Sequence, residues 1–316
     1  MEFFKKATSF PFMSTRKLWY GLSLALMAIS IGSFFVRSLN LAVDFTGGVQ
    51  VQASFSNAVN IDALRAGLEG TGFREEQVQF LGSSRETAIR LPPQKDQTGK
   101  DQTGDVIRAR VEGVLHTIDP KAEVTSLDVV GSQVGDELKS GAILALFATL
   151  ALIFVYIAVR FHTWRLSVGA ILAVVHDPIL VLGAFSLFHT SFDLPVVSAM
   201  LAVIGYSLND TVVVFDRIRE RFEASRRLEP VAVLDQSINQ TLSRTIMTKV
   251  VTLIVVVALY VLGGQALKGF SEALIIGILA GTYSSIYISS AIALDFGLKA
   301  EHLLPTSIKK PIDDLP

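Results

Sequence analysis

Asp210 stands in GYSLNDTVVVFDRIRERF, from Gly205 to Phe222, where one of the most apolar stretches of the chain meets one of the most charged. A carboxylate about a turn and a half from the end of a membrane-crossing helix costs on the order of 2–3 kcal/mol if it faces lipid ionised. It must therefore face protein or water. Two roles fit: a structural carboxylate bonded to neighbouring helices, or a group that takes up and releases a proton. Asn209 and Thr211 beside it add polar groups, and intramembrane ionisable groups default to function. A relay also needs a neighbour that tunes it, because desolvation favours the neutral carboxyl and an adjacent cation favours the anion. Two cations lie in INQTLSRTIMTKVV. Arg244 opens the fifth apolar span and by position alone reads as an arginine snorkelling at the membrane edge. Lys249 is five residues deeper, roughly 7 Å at 1.5 Å per residue, and is harder to assign to the edge.

His176 and Asp177 in AVVHDPIL lie mid-span beside Pro178, which removes a helix hydrogen bond and kinks the chain. A second titrating site and packing at a kink are both compatible with them. Asp216 and Glu220, among Arg217, Arg219 and Arg221, read as a solvated interfacial helix. Gly277, Gly281, Ser284 and Ser285 repeat at near-helical spacing, the small-residue pattern by which spans approach closely.

The elements that must position these residues follow from composition. Half the residues are hydrophobic and only 18% are charged, against about 25% in soluble domains, and the mean hydropathy is +0.48. The chain reads as an integral membrane protein. A net charge of −1 with scattered basic clusters gives no reason to expect a nucleic-acid partner. The absence of cysteine excludes disulfides, thiolate metal sites and cysteine catalysis. No metal-ligand spacing, nucleotide-binding loop or nucleophile triad appears, so neither a cofactor nor enzymatic catalysis is expected.

Windows of about 19 residues place spans near Leu18–Val36, Ser140–Val159, Leu166–Phe188, Leu194–Phe215, Ile246–Leu262 and Phe270–Leu294. Lys5, Lys6, Arg16 and Lys17 precede the first span, Arg160 and Arg165 bracket the loop after the second, and Arg217 to Arg227 fill the loop after the fourth. The loops of opposite parity hold only Lys268. Both termini are therefore expected in the cytoplasm. The first span has a basic start but a long core with no small-residue cleavage site, and reads as an uncleaved anchor. Residues 1–36 then form the cytoplasmic start and first span, 37–139 an outer domain, 140–298 spans two to six with a cytoplasmic loop near 216–245, and 299–316 a cytoplasmic tail.

The outer domain reads as β-α-β-β-α-β. VQVQASF, from Val49 to Phe55, alternates as a strand, and Asn57 and Asn60 offer caps for the helix IDALRAGLEG, ending at Gly70 or Gly72. QVQFLG and TAIRLP flank Gly82–Arg85 as a hairpin. DVIRARVEGVLHTI gives a second helix and AEVTSLDVVG a last strand. That order is the α+β ferredoxin-like pattern. The repeated KDQTG at 95–104 reads as a duplication in a loop.

VDFTGG after the first span, GYSLNDTVVVFDRIRE, SINQTLSRTI, LYVLGG and GILAGTYSSIYISSAIAL closely resemble, in order and over nearly the whole chain, the SecF family of bacterial protein-export membrane subunits. The resemblance implies half of a twelve-span unit of the resistance-nodulation-division (RND) superfamily, driven by the proton-motive force. It implies SecD as the other half, with the SecYEG channel, often YajC, and an emerging unfolded polypeptide as further partners, in the bacterial inner membrane with the large loop periplasmic. By this resemblance Asp210 matches the carboxylate of proton-coupled function. Arg244 matches the arginine of a charge cluster shared with acidic groups of both subunits, which overrides the reading from position alone. Asp44 falls on the Asp-Phe-Thr-Gly-Gly motif, whose Gly47 and Gly48 form the tight turn into the outer domain. Two positions depart from the family: Thr248-Lys249 stands where Thr-Ser is usual, which makes Lys249 a possible competitor of Arg244 for Asp210, and Ala42 replaces a glycine. Two rival functions are half of a proton-coupled small-molecule exporter and a passive scaffold for SecD.

The arginine asymmetry generates a first test. A reporter fused near Thr98 is expected outside the cytoplasm and one near Ser225 inside. A cytoplasmic Thr98 reporter would overturn the topology.

Overall fold

The computed structural model describes residues 8–73, 76–94, 102–225 and 227–303. Thr98 and most of the KDQTG repeat lie outside the described residues, as does the tail from 304. In chain order the elements are α1 (Arg16–Arg37), β1 (Asn40–Leu41), α2 (Val43–Thr46), β2 (Gly48–Ser54), α3 (Ile61–Gly70), β3 (Gln77–Leu81), β4 (Ser83–Leu91), α4 (Gly104–Ile118) and β5 (Glu123–Val130). They continue with α5 (Ser132–Phe161), α6 (Trp164–Phe188), β6 (Ser191–Phe192), α7 (Leu194–Ala224), α8 (Pro230–Leu262), α9 (Lys268–Tyr283) and α10 (Ser289–Asp295). A π-helical turn, Ser284–Ile288, joins α9 to α10. Among the described residues six helices are long and apolar enough to cross a membrane: α1, α5, α6, α7, α8 and the sixth formed by α9, the π turn and α10.

The outer domain has the expected element order. Its antiparallel sheet runs β3-β4-β2-β5, so the first and last strands are neighbours and α3 and α4 cover one face. Asn60 caps α3 by accepting from the amides of Asp62 and Ala63, the placement that satisfies free N–H groups at a helix start. Val51, Ile89, Leu64, Leu68, Phe73, Val111 and Leu115 are buried in its core. The hairpin turn is tighter than Gly82–Arg85, because β4 already begins at Ser83.

The cytoplasmic loop expected near 216–245 is instead helical. α7 runs on to Ala224 and α8 starts at Pro230. Ile218, Phe222, Val233, Leu234, Ile238 and Leu242 keep an apolar stripe at helical spacing and pack in one core with Phe12 and Met13. A window tuned to hydrocarbon length ends the helix at the first charges, whereas the stripe carries it into water. Asp235 and Asn239 accept from the amides of Met13 and Phe10, tying the segment before α1 to this hairpin.

Inside the bundle the small residues set the distances. A Cβ on Gly277 would lie 2.4 Å from a Val203 methyl, and one on Gly183 would lie 2.1 Å from the Ser30 Cβ. Gly183→Ala should therefore push α1 from α6 and cost about 1–3 kcal/mol. Gly21→Ala, which meets nothing within 4 Å, should be neutral or stabilising by the gain in helix propensity. The check is the unfolding midpoint of both variants in detergent; equal midpoints would contradict the packing.

Candidate functional site

Asp210 lies on the buried face of α7 with Val203, Ser207, Thr211 and Val214, and is 5% exposed. The cation that meets it is Lys249, itself 4% exposed, with Nζ 2.8 Å from Oδ2. Neither atom has a further partner among the described residues. The contact is thus an ion pair held by charge. The ammonium also stands 4.1 Å from the centroid of the Tyr206 ring, which adds cation–π attraction. The Tyr206 hydroxyl, in contact with the Thr248 carbonyl and Thr252 Oγ1, fixes α7 against α8.

The expected pairing of Arg244 with Asp210 does not occur. Five residues along a helix turn the side chain by about 140°, so Arg244 and Lys249 point to different sides of α8. Thr241, Thr245 and Lys249 form the buried stripe; Arg244 is exposed and has no partner among the described residues. Asn209 also departs from expectation. It is exposed with Ala202 and Gly205, one position round the helix from Asp210 and outside the polar cluster.

His176 and Asp177 are 2% and 0% exposed. His176 Nδ1 lies 3.0 Å from Asp177 Oδ1, and Asp177 Oδ2 accepts from Ser207 Oγ at 2.7 Å and Ser284 Oγ at 3.0 Å. Ser284 therefore does more than pack. Ser285 is buried and bonds the Thr282 carbonyl. Gly281 leaves the room: a Cβ there would come within 3.2 Å of Asp177 Oδ2. On the other side His176 Nε2 lies 3.1 Å from Ser23 Oγ, which is 2.9 Å from the Tyr283 hydroxyl, and that hydroxyl donates to the Trp19 carbonyl. Ser207 and Asp210, three apart on α7, share one helical face.

At the outer end Asp44 accepts from the Leu194 amide at the start of α7. Gly47 and Gly48 follow with φ of 69° and 116°, and a Cβ on Gly48 would lie 2.3 Å from the Leu91 carbonyl oxygen. The expected tight turn is there, and only glycine fits it. Arg90 of β4 completes the join: it is 7% exposed and donates to Gln50 in its own sheet, to Asn40 Oδ1 at 2.7 Å, and to Ser191 through a short bond. Asn40 and Ser191 are a register pair of the β1–β6 ladder. Burial lowers the Arg90 pKa, opposed by Asp193 and Asp44; burial raises that of Asp193, opposed by the Val196 amide.

Sequence reading passed over Ser23, Ser207, Tyr283 and Arg90. A hydroxyl in a span can bond its own backbone, so Ser23 and Ser207 carry no signal alone. Arg90 is a charge inside an otherwise apolar alternation, and that was a usable sign. For the ion pair, Lys249→Met should leave Asp210 buried without a counter-charge and cost about 3–5 kcal/mol. Pairing it with Asp210→Leu should recover most of the loss. Unfolding midpoints of the single and double variants in detergent are the measurement, and a harmless single variant would refute the pair.

Residues 110–299 match the family described as protein export membrane protein SecD/SecF, C-terminal, and residues 32–59 match the SecD/SecF GG motif. The protein translocase subunit SecF of Haemophilus influenzae is 44% identical over 96% of this chain and 91% of its own length. That of Vibrio alginolyticus is 41% identical over 100% and 99%. The crystal structure of SecDF, a translocon-associated membrane protein, from Thermus thermophilus superposes with a TM-score of 0.82 at 37% identity, over 92% of this chain. The chain spans 39% of that longer one. SecDF in a super-membrane-facing form superposes at 0.67 with the same identity. With relatives this similar over nearly its full length, and with the Gly47-Gly48 turn built as described, the chain belongs to the SecD/SecF family as a SecF-type translocase subunit.

Proposed function

We propose that this subunit is one half of a proton-driven motor that promotes protein export, working with SecD beside the SecYEG channel, with YajC as a further partner. The observation that carries the reading is the Asp210–Lys249 ion pair, closed off from solvent between α7 and α8. Protonating Asp210 removes the charge–charge attraction of that pair, and the transmembrane potential supplies ~2.3 kcal/mol per charge per 100 mV to move the proton. The motor needs no covalent chemistry. It changes the charge between two helices and so biases their packing.

Two further features favour SecD as the missing half. Ala202, Gly205 and Asn209 form an exposed small and polar stripe on α7, the surface by which spans approach closely in a membrane. Arg244 lies exposed on α8, and an unpaired charge in a bundle calls for a counter-charge; an acidic group of SecD would supply it. The similarity to SecF subunits supports the bacterial inner membrane, and the arginine asymmetry supports both termini on the cytoplasmic side with the outer domain opposite. The two SecDF forms match this chain at 0.82 and 0.67 despite equal identity, which supports a moving assembly. The substrate is the emerging unfolded polypeptide, drawn or retained by the outer domain.

The decisive variant is Asp210→Asn, which keeps shape and hydrogen bonding but cannot titrate. In vesicles holding matched amounts of folded complex with SecD, it should abolish stimulation of export by the proton gradient. Arg244→Ala should fail as well and Arg244→Lys recover only in part, since lysine lacks the guanidinium fork. Lys249→Ser, compared at matched amounts of folded complex, should shift the pH dependence of export. Normal gradient-driven export by the Asp210→Asn complex would leave the protein a scaffold for SecD.

A further inference from the structure

The polar chain through His176 has more contacts than a neutral pair can fill. Four contacts run in series: Asp177 Oδ1 to His176 Nδ1, His176 Nε2 to Ser23 Oγ, Ser23 Oγ to the Tyr283 hydroxyl, and that hydroxyl to the Trp19 carbonyl. Each needs one hydrogen between its two heavy atoms. The second oxygen of Asp177 has its own donors in Ser207 and Ser284, so it neither lends nor takes a hydrogen from the series. A neutral imidazole brings one hydrogen, Ser23 one and Tyr283 one. That makes three hydrogens for four contacts, and wherever the gap falls, two lone pairs face each other inside the membrane. One additional proton closes the series: His176 donates from Nδ1 to Asp177 and from Nε2 to Ser23, Ser23 donates to Tyr283, and Tyr283 donates to Trp19.

We infer that the His176–Asp177 pair is a second proton-binding site, loaded in this conformation, and that its proton exchanges through Ser23 and Tyr283. The inference rests on the proton-driven reading above and adds a station to it.

The surroundings suit such a station. His176 and Asp177 are 2% and 0% exposed, so a charge change there is felt at low dielectric. The groups that face the pair are Ser23 from α1, Ser207 from α7, and Tyr283 and Ser284 from the sixth span. Away from the helix ends, the charged group on the helices packed against α6 is Asp210, one turn beyond Ser207 and neutralised by Lys249. The remaining charges of those helices lie toward their ends: Arg16, Lys17 and Arg37 on α1, Asp136, Glu137, Lys139 and Arg160 on α5, the run from Asp216 to Glu223 on α7, Lys268 and Glu272 on α9, and Asp295 on α10. Trp19 and Ser23 belong to the first two turns of α1, so the series opens toward the end that carries Arg16. The π turn begins at Ser284 itself, and π-helical turns within α-helices occur frequently at functional sites. When the proton leaves, one contact loses its hydrogen and its oxygens repel. The join between α1 and the sixth span is where the series must then open.

The test uses the full chain with its SecD partner in lipid vesicles, with 15N-labelled histidine rings. Of the five histidines, His176 is identified by the signal lost in His176→Gln. Its ring is expected to carry hydrogen on both nitrogens near neutral pH and to lose one as pH rises; Asp177→Asn should leave it singly protonated at the same pH. Tyr283→Phe keeps the ring packing but removes one hydrogen and two contacts, leaving two hydrogens for two contacts, so it too should leave His176 singly protonated. A ring that holds one fixed neutral tautomer from about pH 5 to about pH 9, across the range where histidine titrates, would overturn the inference. In the same vesicles His176→Gln should lower gradient-driven export by about a hundredfold or more, the range of a lost proton-transfer group. If His176→Gln exports normally while Asp210→Asn does not, the second station fails and the relay stands. If Asp210→Asn exports normally, the relay fails, whatever the ring shows.

Discussion

Hydrocarbon offers an ionised side chain neither water nor mobile counter-ions, so each buried charge in this bundle has to be answered by a protein group within reach. The chain answers its two mid-membrane carboxylates in opposite ways. Asp210 meets the Lys249 ammonium and, among the described residues, no other side-chain donor, so its anion is held by that one cation. Asp177 has three donors and no fixed cation, so its anion is held by dipoles and by whatever charge His176 carries. Desolvation makes both arrangements sensitive to one proton, because a buried pair that loses a partner becomes an uncompensated charge. The packing of the bundle follows from this constraint. Gly281 is small because Asp177 and Ser207 meet beside it, and Tyr206 reaches across to α8 where the ammonium needs a ring to lie against.

Much of this was legible in the sequence. Six apolar windows gave the spans, and period-2 and period-3.6 patterns gave the outer domain in order, with α3 ending at Gly70, the first of the two glycines expected to stop it. Those signals are local, and local signals survive without a structure. The pairing of side chains across helices did not survive, because it depends on rotation about each axis. Arg244 and Lys249 lie on one short stretch, and which of them meets Asp210 is decided by the buried stripe of Thr241, Thr245 and Lys249. Asn209 lies apart from Asp210 for the same reason: adjacency in sequence puts it about 100° away around the helix. The loop near 216–245 erred for another reason. Hydropathy averages over all faces, and the amphipathic extension of α7 and α8 keeps its apolar residues on one.

The outer domain is joined to the bundle by few, specific bonds. Arg90 links its sheet to the short β1–β6 ladder, and Asp44 links the turn at Gly47 and Gly48 to the first amide of α7. Both joins are charge-assisted, which makes them strong for their number. Both converge on residues 191–194, immediately before the helix that carries Asp210.

α7 is one unbroken rod of 31 residues, about 46 Å long at 1.5 Å per residue. Its first residue is pinned by Asp44, its middle holds the ion pair, and its last third forms the hairpin with the start of α8. A rod of that length acts as a lever. A tilt of about 5° pivoted at one tip carries the other by roughly 4 Å, more than the length of a hydrogen bond. A repacking that shifts the middle of the rod by about half as much, at the α7–α8 contact in the bundle, can therefore break or remake bonds at the foot of the outer domain.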